Sequence, residues 1–203
     1  MTALLSGQGL ILLRGDCCLI KDLDFALGAG ELLLVNGANG SGKTSLLRAI
    51  AGLLPLEDGE LRWRGEWLRP HDPQFRGDIA WLSHRVGFKN DLDLVENLRF
   101  ESSLRASHSH RLESVLERLS LASLTALPFR ALSAGQQRRV ALARLLLSTA
   151  TLWMMDEPFT NLDRDGQALV RMLLEEHLAE GGSAIVATHQ PVEVDAPIIR
   201  VSL

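Results

Sequence analysis

Apolar residues before position 51 occur in short runs separated by Gly, Asp and charged residues. The runs are Leu10–Leu13, Cys18–Ile20, Leu23–Leu27 and Leu32–Val35. Gly and Asp separate the first three runs from one another, which predicts short antiparallel strands. The fourth run is wholly apolar and predicts a strand buried on both faces of a sheet. The following segment, Ser45–Ala51, has the apolar spacing of a helix.

The middle of the chain changes from strand patterns to helical ones. Asp58-Gly59-Glu60 predicts a turn before the alternating strand Leu61–Arg64, and Ile79–Leu82 predicts another short strand. From about residue 93 to 127, apolar positions recur at helical spacing without a convincing strand. This part of the chain therefore predicts a small helical lobe.

The last third alternates helices with apolar strands. These predicted elements are a helix over Gly135–Ser148, a strand over Thr151–Met155, a helix over about 163–179, and strands over Ser183–Thr188 and Ile198–Ser202. Such alternation is typical of an α/β fold with a mainly parallel sheet covered on both faces.

Composition narrows the class of protein. A chain of 203 residues with 46% hydrophobic content fits one globular domain. The net charge of -4 argues against a broad surface for nucleic acid. Cys17 and Cys18 are adjacent, a spacing that rarely allows an unstrained disulfide, so we expect a reducing cytosolic compartment. No apolar stretch reaches the roughly 18 to 20 residues of a membrane span, so we expect a membrane role only through a partner.

A glycine-rich loop between the buried strand and the first helix carries the most specific chemistry. Its residues are Gly37, Ala38, Asn39, Gly40, Ser41, Gly42, Lys43 and Thr44, followed by Ser45. Glycines let consecutive backbone N–H groups converge on a phosphate, and the helix N-terminus adds its dipole. Lys43 would reach the β- and γ-phosphates, and the Thr44 hydroxyl would ligate Mg²⁺. The pattern predicts binding of a nucleoside triphosphate.

Two carboxylates, Asp156 and Glu157, follow the predicted strand Thr151–Met155. The carboxyl edge of a parallel sheet is where the phosphate loop also lies, so we expect these side chains to join the same site. Asp156 would help to hold Mg²⁺, and Glu157 would accept a proton from the attacking water. A solvated strand end is the alternative for an Asp-Glu pair considered alone.

The segment 132–144, LSAGQQRRVALAR, resembles the signature motif of ABC-type ATPases. Ser133, Ala134, Gly135 and Gln136 occupy the motif, with Ala134 in place of its first glycine. Residues 136–139 predict one polar face of the following helix rather than a nucleic-acid contact. Ser133 stands where a helix N-cap would, which makes a second anion-binding helix start. Because the chain already has one phosphate loop, this second start suggests a site completed by another subunit.

The resemblance to ABC ATPases covers nearly the whole chain in the family's motif order. Asn161-Leu162-Asp163 is similar to the loop that crosses the dimer interface, and His189 matches the switch histidine that contacts the γ-phosphate. The resemblance implies a P-loop NTPase fold: an ABC-type nucleotide-binding domain with a RecA-like core (1–84 and 132–203), an antiparallel β part and a helical lobe (about 85–131). It also implies head-to-tail homodimers that enclose two ATP molecules with Mg²⁺.

Two positions depart from the family pattern. His84 stands where members usually carry a glutamine that senses Mg²⁺ and the attacking water; a structural loop histidine is the alternative. The chain has no Tyr, and the place of the aromatic residue that stacks on adenine falls near Arg14. A guanidinium can stack on a base, although an exposed surface arginine would look the same in sequence.

His84, the signature segment and the stretches Thr188-His189-Gln190-Pro191 and Ile199–Leu203 resemble one ABC subfamily. Its members are the ATP-binding subunits of the bacterial haem exporter of cytochrome c maturation. The resemblance implies a peripheral protein at the cytoplasmic face of the inner membrane, bound to integral-membrane subunits and handling haem only indirectly. The rival hypotheses are an ATPase of another exporter, a non-transport ATPase acting on DNA or ribosomes, and a nucleotide-binding scaffold without hydrolysis.

Overall fold

The computed structural model describes residues 3–69, 71–83, 87–104 and 106–203. A five-stranded parallel sheet forms its centre, in the spatial order β6-β7-β8-β3-β9. The strands are β3 (Leu32–Asn36), β6 (Ile79–Leu82), β7 (Leu152–Asp156), β8 (Ser183–Thr188) and β9 (Ile198–Ser202). Because all five run in one direction, their carboxyl ends meet at one edge, where the polar motifs follow β3, β7 and β8.

A second sheet is antiparallel, in the order β2-β1-β4-β5. Its strands are β1 (Leu5–Arg14), β2 (Cys17–Leu27), β4 (Asp58–Trp63) and β5 (Glu66–Trp67). The three predicted runs before residue 28 merge into two long strands, since irregular pairing bridges the polar residues between them.

One predicted turn is wrong. Residues 58–60 are paired with β1 as the start of β4, and the turn lies later, at Arg64 and Gly65. Both residues adopt left-handed backbone angles, with φ of 52° and 84°. A tight hairpin between β4 and β5 requires this conformation.

Six α-helices are present in the described part of the chain. They are α1 (Lys43–Ile50), α2 (Pro73–Asp78), α3 (Leu94–Ser103), α4 (Leu112–Arg118), α5 (Ala134–Leu147) and α6 (Arg164–Ala179). Short 3₁₀ segments occur at Ser109–Arg111, Ala122–Leu124 and Phe129–Ala131. None of these helices is long and apolar enough to cross a membrane.

Helix α2 is absent from the sequence prediction. Asp72 caps it by accepting hydrogen bonds from the backbone N–H groups of Gln74 (2.9 Å) and Phe75 (3.2 Å), and Pro73 occupies its first turn. Phe75 is buried edge-on against Trp63, with ring centroids 5.0 Å apart. The Asp-Pro pair is a helix-start signal, but a helix of six residues has too little periodicity to detect.

The parallel sheet separates two hydrophobic clusters. On β3, Leu32 and Leu34 pack into the cluster that holds α3 to α6, whereas Leu33 and Val35 pack into the one shared with α1 and the antiparallel sheet. Burial on both faces explains why this strand is apolar throughout. Within the predicted lobe, α3 and α4 contact α5, which carries the lobe beside the core. The predicted α/β class is confirmed.

Candidate active site

The glycine-rich loop connects β3 to α1 at the carboxyl edge of the parallel sheet. Gly42 is the N-cap of α1 and has a φ of 107°, which favours glycine strongly. A Cβ at Gly42 would also lie 3.3 Å from the Cβ of Leu19 on β2. None of the described side chains caps α1, which leaves the first N–H groups of the helix without a side-chain partner there. This arrangement can bind an anion through backbone donors.

Lys43 is the cationic centre of the loop, and its side chain is only 6% exposed. Its Nζ donates hydrogen bonds to the carbonyl oxygens of Gly37 (2.7 Å) and Ala38 (3.0 Å). The same nitrogen lies 3.7 Å from Oε1 of Glu157. The loop is thus wrapped around an ammonium group that also faces the second predicted motif.

Asp156 is the last residue of β7 and is 2% exposed. Its Oδ2 accepts a hydrogen bond from Oγ1 of Thr44 at 2.8 Å, although the two residues are far apart in sequence. A hydroxyl and a carboxylate are oxygen ligands of the kind that Mg²⁺ prefers. The residues present therefore fit the magnesium ion that the family implies.

Glu157 lies directly after β7 in a left-handed conformation, with a φ of 48°. Its backbone N–H donates to the carbonyl of Ala187 at 2.8 Å. Its carboxylate accepts a hydrogen bond from Oγ1 of Thr188 at 3.0 Å, and Nδ1 of His189 lies 3.0 and 3.1 Å from its two oxygens. The structure thus brings Glu157 and His189 into direct contact.

These groups surround a cavity of about 330 Å³ at the sheet edge. The cavity is lined by Arg14, Leu19, Asn39, Gly40, Gly42, Lys43, Thr44, Ser45, Asp156 and Glu157. Arg14, the last residue of β1, is exposed on one side of it. We refer to this cavity below as the P-loop cleft.

The signature residues begin α5 and lie outside this cleft. Ser133 accepts a hydrogen bond from the N–H of Gln136 (3.2 Å), and the Gln136 side chain accepts one from the N–H of Ser133 (2.8 Å). The predicted N-cap is therefore confirmed as a complete capping box. None of residues 133–136 is among the described residues that line the P-loop cleft.

The predicted dimer loop lies beside the signature. A Cβ at Gly135 would be 3.5 Å from the carbonyl oxygen of Asn161, whose φ is 63°. Asp163 is the N-cap of α6 and accepts a hydrogen bond from the N–H of Gly166 at 2.8 Å. His84 lies outside the described residues, so its predicted role stays a prediction.

Arg138 is a site residue that the sequence pattern missed. The pattern of residues 136–139 predicts a polar helix face, yet Arg138 is 5% exposed and donates to backbone carbonyls at the end of β7. Burial lowers its pKa to about 10, while the carboxylates of Asp156 and Glu157 act in the opposite direction. One signal could have found it: Arg138 shares a helix face with Ala141, Leu142 and Leu145.

Sheet topology and the P-loop cleft define the class of this protein, a P-loop nucleotide-binding domain of the ABC type. The family model described as ABC transporter matches residues 20–160. A putative ABC transporter ATP-binding protein from Pyrococcus furiosus has the same fold, with a TM-score of 0.83 at 24% identity. The similarity covers 97% of this chain and 96% of that one.

Closer relatives identify the branch of the family. The cytochrome c biogenesis ATP-binding export protein CcmA of Methylococcus capsulatus is 45% identical over 94% of this chain and 93% of that protein. The protein of the same name from Hahella chejuensis is 41% identical over 100% of this chain and 96% of its own length. The chain belongs to the ABC transporter family and, within it, to the cytochrome c biogenesis ATP-binding export proteins.

Proposed function

We propose that this chain is the ATP-hydrolysing subunit of an inner-membrane ABC complex for cytochrome c maturation. Hydrolysis would be coupled to haem export or to release of a haem-loaded chaperone, so the chain would handle haem only indirectly. One observation carries the ATPase part of the proposal: Lys43, the Thr44–Asp156 pair and Glu157 line one cleft, and His189 contacts the Glu157 carboxylate. The maturation role is supported by the relatives' names.

The phosphates of ATP would bind to the N–H groups of residues 37–45 and to Lys43. Helix α1 begins at Lys43 with Gly42 as its N-cap, and the helix dipole favours a negative charge there. Arg14 lines the same cleft from β1, so its guanidinium would stack on the adenine ring. This contact would replace the aromatic residue that usually stacks on adenine in ABC ATPases.

Thr44 and Asp156 would hold Mg²⁺ between the loop and the end of β7. Bound there, the ion would neutralise charge on the phosphate oxygens. Glu157 is the proposed general base, because its carboxylate lies beside Lys43 and is oriented by Thr188 and His189. His189 would contact the γ-phosphate, and His84 would respond to the attacking water.

Two copies of the chain would complete each site. Residues 133–136, at the capped start of α5, are not among the described residues that line the cleft of their own chain, and we propose that they would contact the nucleotide of a second chain. Asp163 would lie in the loop that crosses this interface. We therefore propose a head-to-tail homodimer. In each chain the core would comprise residues 1–84 and 132–203, and the helical lobe would comprise residues from about 85 to 131.

The partners would be integral-membrane subunits, with this chain bound at the cytoplasmic face of the inner membrane. An ATPase of another ABC exporter is the alternative, and it would share every residue role given above. Covalently bound haem in periplasmic c-type cytochromes distinguishes the two. It would be measured in cells whose only copy of the gene carries Glu157→Gln, with Glu117→Gln on the exposed side of α4 as the matched control.

We expect the Glu157→Gln cells to lose the cytochrome c signal while other haem proteins stay at normal levels. The Glu117→Gln cells should match wild type, since the same charge is removed outside the cleft. Normal c-type cytochromes in Glu157→Gln cells, with the protein present at wild-type levels, would contradict the maturation role. The exporter alternative would then be tested by co-purification of the membrane partner.

A further inference from the structure

Arg138 of α5 lies beneath the end of β7 and donates four hydrogen bonds to backbone carbonyls. Nη2 reaches the carbonyl oxygens of Glu157 (2.7 Å) and Asp156 (3.1 Å). Nε reaches that of Pro158 (3.3 Å), and Nη1 reaches that of Ser83 (2.9 Å). All three nitrogens of the guanidinium are therefore used, and every acceptor belongs to the main chain.

Burying this cation is unfavourable unless its hydrogen bonds offset the lost hydration. With an exposed fraction of 5%, the side chain has little contact with water, and burial is the largest cause of its lowered pKa. An apolar side chain at this position would fill the space without that penalty. An apolar side chain could not donate hydrogen bonds, whereas the planar guanidinium donates to carbonyl groups on separate segments of the chain.

The backbone that Arg138 contacts is strained. Glu157 adopts a φ of 48°, which is uncommon for a residue with a side chain and persists only where its surroundings impose it. Three hydrogen bonds hold the backbone of Glu157. Its N–H donates to the carbonyl of Ala187 (2.8 Å), and its carbonyl accepts from Arg138 (2.7 Å) and from the N–H of Thr160 (3.3 Å). The left-handed turn directs the Glu157 carboxylate towards Lys43 and His189.

The bond to Ser83 connects a further segment. Ser83 follows β6 and is the last described residue before position 84, where the core is predicted to join the helical lobe. Arg138 itself belongs to α5, the helix that the signature residues begin. A single side chain thus links the signature helix, the end of β6 and the turn that carries the proposed general base.

We propose that Arg138 is a positioning residue for ATP hydrolysis. By bracing the backbone of residues 156–158 against α5, it holds the Glu157 carboxylate where it can accept the proton of the attacking water. Movement of α5 when the signature engages a nucleotide would then reach Glu157 through this guanidinium. The inference rests on the proposed role of Glu157 in hydrolysis.

The test compares three variants of the purified full-length chain with wild type. Arg138→Gln keeps a polar side chain but loses the cationic fork, and Arg138→Lys keeps the charge with a single donor group. Arg139→Gln is the matched control, because this neighbouring arginine donates instead to the carbonyl of Leu119 (3.4 Å), away from the cleft. The readouts are kcat and KM for MgATP, the Kd of a fluorescent ATP analogue, and the thermal midpoint.

We expect Arg138→Gln to lower kcat by about 10- to 100-fold, the scale on which small misplacements of a catalytic group act. KM and the analogue Kd should change less than about threefold, because Arg138 is not among the described residues lining the P-loop cleft. Arg138→Lys should recover part of kcat, and Arg139→Gln should stay within about twofold of wild type. Partial unfolding of the variant would not explain a lower kcat in Arg138→Gln together with its recovery in Arg138→Lys at an unchanged thermal midpoint.

Two results would overturn the inference. One is a kcat for Arg138→Gln within twofold of wild type; the other is a loss of kcat matched by equal loss of analogue binding in both Arg138 variants. If Arg138→Gln does not fold, the folded Arg138→Lys decides the question by the same comparison of kcat with KM. Absence of hydrolysis in wild type would instead refute the proposed function, so the two failures are distinguishable.

Discussion

Replacing Thr188 by Val tests whether the orientation of Glu157 limits hydrolysis. Thr188 ends β8 and is 0% exposed. Its Oγ1 donates to Oε2 of Glu157 at 3.0 Å and accepts from the N–H of Gln190 at 3.1 Å. Valine has nearly the same shape, so the substitution removes both hydrogen bonds while leaving the packing of β8 in place.

The size of the effect follows from these contacts. A hydrogen bond to a charged group contributes about 1.5–3 kcal/mol, and each 1.4 kcal/mol changes a rate about tenfold. If the bond matters for the position of the carboxylate during reaction, kcat should fall by about 10- to 100-fold. The loss should not be complete, since His189 and Lys43 still contact the Glu157 carboxylate.

Thr188→Ser is the matched control. It retains the hydroxyl but removes a buried methyl group, which should lower the free energy of unfolding by about 1 kcal/mol. We therefore expect Thr188→Ser to be less stable than wild type with a kcat within about threefold. Steady-state ATPase assays and thermal unfolding of both variants measure the two effects. Equal kcat values for Thr188→Val and wild type would refute this account of how Glu157 is oriented.

Three further substitutions test other parts of the account. Lys43→Met should weaken MgATP binding at least about tenfold, since it removes the cation of the P-loop, and unchanged titration of a fluorescent analogue would contradict this. Ser133→Ala should lower the free energy of unfolding by about 1 kcal/mol, because the helix cap is lost. It should also reduce ATP-dependent dimerisation measured by analytical ultracentrifugation. If Ser133 were only a helix cap, dimerisation would stay unchanged. His177 is stacked on Trp153 with ring centroids 4.0 Å apart, and burial lowers its pKa. Because the unfolded chain then binds the proton more readily, the stability of the fold that is present above about pH 6.5 is lost below it. Between pH 7.5 and 5.5 the thermal midpoint should therefore fall less for His177→Gln than for wild type, and parallel curves for the two proteins would contradict the argument.

Much of the site could be predicted because its signals are local. The loop that ends in Lys43 and Thr44 needs only a strand before it and a helix after it, and both patterns are visible in sequence. The same holds for Asp156 and Glu157, which follow an apolar strand. Sheet topology then brings these segments together, because parallel strands place their carboxyl ends at one edge.

Sequence patterns could not predict contacts between segments that are distant along the chain. The run of residues 136–139 predicted a polar helix face, but Arg138 is buried because backbone carbonyls at the ends of β6 and β7 accept its hydrogen bonds. Residues 58–60 predicted a turn because Asp and Gly favour turns, whereas pairing with β1 decides their structure. In both cases tertiary hydrogen bonding outweighed a local preference.

Hydrolysis by the Glu157→Gln variant is the most direct test of the central claim, that one P-loop cleft with Glu157 as its base hydrolyses ATP in a dimer. We would measure MgATP turnover and dimer formation of the purified chain, wild type against Glu157→Gln. The account predicts that the variant binds ATP within about threefold of wild type, loses at least about 100-fold in turnover, and accumulates as an ATP-bound dimer. Turnover equal to that of wild type would contradict it.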